Sequence, residues 1–99
     1  MNDIEKTARI FKVLSEPSRV RIIELLKDRD LCVNALARKL EITPAAVSQH
    51  MRILRDADIV TSEKNGYFVH YGLNRETLAQ WREIAGVFFE NEERKVERQ

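Results

Sequence analysis

The stretch Ile42 to Arg55, ITPAAVSQHMRILR, constrains the fold more than any other part of the chain. It marks its own start as a helix. Thr43 supplies a side-chain oxygen for an otherwise unpaired backbone N–H, and Pro44 occupies the first helical position, where a missing N–H costs nothing. Val47, Met51 and Leu54 follow at helical spacing and form one apolar stripe. Ala45, Ser48, Gln49 and Arg52 lie on the opposite side, and no acidic residue stands between Thr43 and Arg55. Two readings fit this stretch alone: a helix that enters a DNA major groove and reads base edges, or an ordinary amphipathic surface helix.

The segments around it narrow the choice. Asp3 to Leu14 reads as a helix with Ile4, Ala8, Phe11 and Leu14 on one face, and Ile10 and Val13 widening it. Ser15-Glu16-Pro17 interrupts the pattern, and Ser15 or Glu16 caps a second helix, SRVRIIELLKDR, whose Val20, Ile22, Ile23, Leu25 and Leu26 place it at the core. Asp28-Arg29-Asp30 is a polar turn. Leu31-Cys32-Val33 is either a short edge strand or a plug beneath the next helix. Asn34 caps Ala35 to Leu40, with Leu36 and Leu40 on one side, and Glu41-Ile42 leads to the Thr43 cap. Two short helices joined by about three residues are a helix-turn-helix, spanning residues 34 to 57.

Beyond residue 57 the period changes. Ile59 to Glu63 and Tyr67 to Leu73 are rich in β-branched and aromatic residues. Asn65-Gly66 between them is a strong hairpin signal, because both residues tolerate positive φ. Asn74 caps a final helix from about 75 to 90 that carries Leu78, Trp81, Ala85 and Phe88 on one side, with Ile84, Val87 and Phe89 beside them. The polar tail, Glu90 to Gln99, either extends this helix or frays. The expected fold is mainly α with a small β-hairpin: a winged helix-turn-helix of order α-α-α-α-β-β-α, in a single domain covering residues 1 to 99.

EPSRVRIIELL, DLCVNALARKLEITPAAVSQHMRILRDADIV and EKNGYFVHYGLN together resemble the ArsR-type family of bacterial and archaeal transcriptional repressors. The resemblance spans Leu14 to Asn74, and VSQHMRILRDADIV is its most specific run. It implies a homodimer on a palindromic double-stranded DNA operator, with recognition helices in successive major grooves about 34 Å apart. It also implies a dimer interface built from the first and last helices. The apolar residues there, Ile4, Ala8, Phe11, Leu78, Trp81, Ala85, Phe88 and Phe89, exceed what the core of a 99-residue chain readily absorbs. The competing reading packs them on their own core.

On the recognition helix, Ser48 and Gln49 are the candidates for base contacts, Gln pairing both ways with adenine. Arg52 reaches guanine or a phosphate, and Ala45 leaves room against a thymine methyl. Thr43 gives its hydroxyl to a phosphate, to the cap, or to both, and Lys39 on the preceding helix reaches a phosphate. In the wing the candidates are Lys64, then Asn65 and Tyr67. His50, beside the buried stripe, has a packing or phosphate role in preference to base reading. Arg55 turns to the helix edge as a solvent or ion-pair residue.

The family resemblance also implies two kinds of metal-sensing site, and neither is legible here. Thiolate sites at the start of the helix-turn-helix need a partner for Cys32, the sole cysteine, yet Asn34 stands two positions on. Sites of His and carboxylates on the last helix need histidine, yet the only histidines are His50 and His70. No metal or other cofactor is expected, and the inducer is not visible. Cys32 reads as a small buried hydrophobe and His70 as a strand-face residue. One cysteine, two separated histidines, three glycines and no phosphate loop show no catalytic pairing, so the chain is read as a regulator and not an enzyme. No apolar run approaches the length of a membrane span, and the mixed, charged opening MNDIEKTARIFK is no signal peptide, which points to the cytoplasm. The formal charge is only +1, so any basic surface must be local. That neutrality leaves one alternative open: a winged helix that contacts proteins and has lost specific DNA binding.

Overall fold

The computed structural model describes residues 2–90 and 94–97. Among them are α1 (Asp3–Val13), α2 (Pro17–Leu26), β1 (Leu31–Cys32), α3 (Val33–Leu40), α4 (Pro44–Asp56), β2 (Val60–Asn65), β3 (Phe68–Leu73) and α5 (Arg75–Phe89). The expected architecture is present with one addition. Leu31 and Cys32 form a strand opposite Tyr71 and His70, so the hairpin belongs to a three-stranded antiparallel sheet of order β1-β3-β2.

Helix starts follow local hydrogen bonding. Asn2 Oδ1 accepts from Glu5 N–H at 2.8 Å, Thr43 Oγ1 from Ala46 N–H at 3.1 Å and Asn74 Oδ1 from Thr77 N–H at 3.2 Å. The start of α3 differs from expectation. It begins at Val33 with Cys32 at the cap position, and no side chain caps it. The cause is β1, whose pairing with β3 already holds Cys32 extended and lets the helix begin before Asn34.

Two helix ends set the geometry that follows. Glu41 at φ 57° closes α3 in a left-handed turn, with Glu41 N–H bonded to Arg38 O and Ile42 N–H to Ala37 O. The same pattern ends α4: Asp58 has φ 62°, its N–H meets Arg55 O, and Ile59 N–H meets Leu54 O. The first turn aims α4 and the second delivers the chain into the sheet. Each places an ordinary side chain where glycine is favoured, at a cost of about 1 kcal/mol.

The core gathers Ile22 and Leu26 of α2, Leu36 of α3, Val47, Met51 and Leu54 of α4, and Ile59, all essentially fully buried. On α1 only Ile10 and Val13 are buried. The expected face of Ile4, Ala8 and Phe11 turns away from this core, because α1 packs against α5 on that side. Val20, expected in the core, is also at the surface. The described residues of the tail, 94–97, have no regular structure, and residues 91–93 and 98–99 of that expected extension lie outside the described set.

Candidate nucleic-acid interface

The sinking of Val47, Met51 and Leu54 into the core decides which side of α4 faces outward. Ala45, Ser48, Gln49 and Arg52 are all exposed, as are Thr43 and Arg55. The outward face therefore runs from a hydroxyl cap through small and amide side chains to two guanidinium groups. Arg55 belongs to this surface: a groove of about 480 Å³ between α4 and the sheet is lined by Ser48, Met51, Arg52, Arg55, Tyr71 and the acidic Asp56. Periodicity puts Arg55 at the helix edge, and only the position of β3 turns that edge into a groove wall. Tyr71 has the same history, since its place depends on strand pairing.

Lys39 is exposed on α3, and its carbonyl accepts from Arg21 Nη2 at 3.0 Å, which ties α2 to α3 behind the turn. In the wing, Lys64 and Asn65 end β2 and are exposed. The turn falls one residue later than the Asn65-Gly66 pair suggests: Asn65 ends β2 paired with Phe68 and has no positive φ, and the two turn residues are Gly66, at φ 64°, and Tyr67, fully exposed at the tip beside the exposed Phe68. Lys27 with Glu24 is the only ion pair among the described residues. Lys39, Arg52, Arg55 and Lys64 thus have no carboxylate neutralising them there.

His50 is half-buried on the flank of α4. Its Nδ1 stands 3.4 Å from Nη1 of Arg19, a buried cation of α2. Arg19 carries no recognition motif of its own in the sequence. Its signal is spacing: Arg19 stands on the stripe of Ile22, Ile23 and Leu26, where a cation has to find partners.

Away from these residues, α1 and α5 show a large apolar surface. Ile4 is 81% exposed, Phe88 59%, Phe89 68% and Phe11 37%. Phe11, Phe88 and Phe89 meet edge to face with centroids 5.0 to 5.8 Å apart. Ala8 is exposed with them, whereas Leu78, Trp81 and Ala85 are half-buried, Leu78 and Trp81 against the core. The candidates thus divide between core and surface.

Cys32 is half-buried, less than its apolar neighbours suggest, because β1 is an edge strand. It lies opposite His70, which in turn lies opposite Glu63. Among the described residues no group of three or more His, Cys, Asp or Glu side chains is placed to hold a metal ion, and no helix is long and apolar enough to cross a membrane.

This arrangement has known counterparts. The model of the arsR family of bacterial regulatory proteins matches residues 16–62, from the cap of α2 into β2. The transcriptional repressor SdpR of Bacillus subtilis is 33% identical over 70% of this chain and 77% of its own length. A crystal structure described as a possible transcriptional regulator for arsenical resistance superposes with a TM-score of 0.76 at 37% identity, covering 82% of this chain and 84% of the other. A solution structure of a homodimeric winged helix-turn-helix DNA-binding domain from Mycobacterium bovis shares the fold, with a TM-score of 0.70 at 20% identity over 86% of this chain and 80% of that one. The wing, the helix-turn-helix and these relatives agree: the chain belongs to the arsR family of bacterial regulatory proteins, transcription regulators of the winged-helix fold and not enzymes.

Proposed function

We propose that this chain is a homodimeric transcriptional repressor of the cytoplasm that binds a palindromic DNA operator, the whole chain acting as one winged-helix domain. The observation that carries the reading is the outward face of α4: exposed Ala45, Ser48, Gln49 and Arg52 with no acidic residue from Thr43 to Arg55. In this reading Ser48 and Gln49 contact base edges, Arg52 a guanine or a phosphate, and Ala45 a thymine methyl. Lys39, Thr43 and Lys64 hold phosphates, with Asn65 and Tyr67 alongside the wing. The exposed apolar surface of Ile4, Ala8, Phe11, Phe88 and Phe89, continued by Leu78, Trp81 and Ala85, is covered by a second copy. Support for repression and for the dimer comes from SdpR, a transcriptional repressor, and from the homodimeric Mycobacterium bovis domain. Regulation does not run through a metal at either family position, since Asn34 stands where a second thiolate would be needed and α5 has no histidine.

The test is selection of duplexes from a random pool by the purified protein, then a salt titration on the best sequence. An imperfect palindrome with half-site centres one helical turn apart, about 34 Å, and a steep salt dependence is the expected result. Enrichment of no sequence, with only weak binding everywhere, refutes the reading and moves the function to protein contacts, an alternative that the net charge of +1 favours.

A further inference from the structure

We propose that Arg19 is a positioning residue for DNA binding: it holds His50 in the tautomer with its proton on Nε2, and that N–H is donated to a backbone phosphate. The inference rests on the DNA-binding reading above.

The Arg19 side chain links three helices. Its Nε donates to Val13 O at 2.6 Å, a carbonyl left open at the end of α1, and its Nη2 to Lys12 O at 3.3 Å, which also accepts from Ser15. Its Nη1 faces His50 Nδ1 on α4 at 3.4 Å. Guanidinium has donors and no acceptor. Nδ1 of His50 must therefore be the accepting, unprotonated nitrogen, which leaves the ring proton on Nε2. The only buried side-chain nitrogen or oxygen without a partner among the described residues is His70 Nδ1. Nε2 of half-buried His50 also has no partner there, so it reaches solvent. The result is a donor aimed by a fixed cation, on the flank of a helix whose adjacent face carries Gln49 and Arg52. A groove in the DNA surface presents phosphates to such a flank while the face itself meets bases. The positive charge stays on Arg19, behind the ring, where it polarises the outward N–H.

Two experiments test this. The first is a long-range nitrogen–proton correlation spectrum of the histidine rings in the free, 15N-labelled protein. It should show the His50 proton on Nε2, and a proton on Nδ1 overturns the proposal whether or not DNA binds. The second is a double-mutant cycle of operator affinity with Arg19→Gln, His50→Ala and both. Each single variant should lose roughly tenfold, and the double variant no more than either. A merely structural role for Arg19 predicts instead that the losses multiply toward a hundredfold, which refutes the coupling. His50→Ala should leave the salt slope unchanged, because a neutral donor displaces no counterion; a slope lowered by about one unit shows a cationic His50 and also refutes the proposal. Failure of the wild-type protein to bind any duplex refutes the function itself, a result distinct from these. If Arg19→Gln does not fold, as its melting curve will show, Arg19→Lys replaces it in the cycle, and the spectrum needs no variant.

Discussion

Truncating Phe88 to alanine should dissolve the proposed dimer while leaving each protomer folded. Phe88 is 59% exposed in the single chain, between Phe11 at 5.6 Å and Phe89 at 5.0 Å, centroid to centroid. A phenylalanine side chain of about 200 Å² therefore leaves on the order of 120 Å² for a partner to cover. Removing the ring forfeits about 100 Å² of that in each protomer, or about 2.5 kcal/mol at 25 cal/mol per Å². A two-fold interface counts the loss twice, about 5 kcal/mol per dimer, and incomplete coverage lowers it to about half. The dimer dissociation constant should then rise between roughly a hundredfold and several thousandfold. The folded protomer loses far less, because the ring touches solvent and its two aromatic neighbours more than the core. Sedimentation equilibrium over a concentration series measures the constant, and circular dichroism checks the fold. Operator affinity should fall in parallel, since a lone protomer holds one half-site. A constant within about threefold of wild type, or a wild-type protein that is monomeric at 100 µM (about the upper end of such a series), refutes the assignment of this surface to a second copy.

Three further outcomes are expected. Gln49→Ala should weaken binding unevenly across operator variants, by roughly 1–3 kcal/mol where it reads a base; equal weakening on selected and random duplexes removes the base contact. Lys64→Ala should weaken binding to all sequences and flatten the salt slope by about one unit, and an unchanged slope in the titration removes the wing phosphate. Glu41→Gly should raise thermal stability by up to about 1 kcal/mol, since Glu41 holds φ 57° at the end of α3; a lower melting temperature counts against strain at that turn.

Much of the fold was legible because its signals are local. Thr43-Pro44 starts α4, Asn74 starts α5 and Gly66 turns the wing, one residue past the expected centre, each through a hydrogen bond or a φ value fixed within four residues. The stripe of Val47, Met51 and Leu54 likewise fixed which side of α4 faces outward. What escaped depends on long-range pairing. Cys32 took the cap position only because β1 pairs with β3, where its partner His70 lies 38 residues on in sequence. Arg55 and Tyr71 share a groove because β3 passes beside α4. The turns at Glu41 and Asp58 carry no glycine to announce them, and their backbone bonds to Arg38, Ala37, Arg55 and Leu54 appear only once both helices are in place.

The near-neutral net charge is the observation that most resists a DNA-binding reading, and the placement of charge answers it. Binding to DNA depends on cations facing phosphates, and charges more than a Debye length away, about 8 Å in physiological salt, contribute little. Along α4 the acids are deferred to Asp56 and Asp58, at and past the helix end. The Asp56 backbone carbonyl accepts from Arg9 of α1 at 2.8 Å, while Asp56 itself lines the groove beside Arg52 and Arg55 without forming an ion pair to either. Meanwhile Arg52, Arg55, Lys39 and Lys64 have no carboxylate partner among the described residues. Four unneutralised cations around the helix-turn-helix and wing suffice for a salt slope near −3.6 at about −0.9 for each phosphate met. In the proposed dimer that figure doubles. A sum of charges over the whole chain therefore underrates this surface, and the measured slope, divided between face and wing by the Lys64 variant, reports its true size.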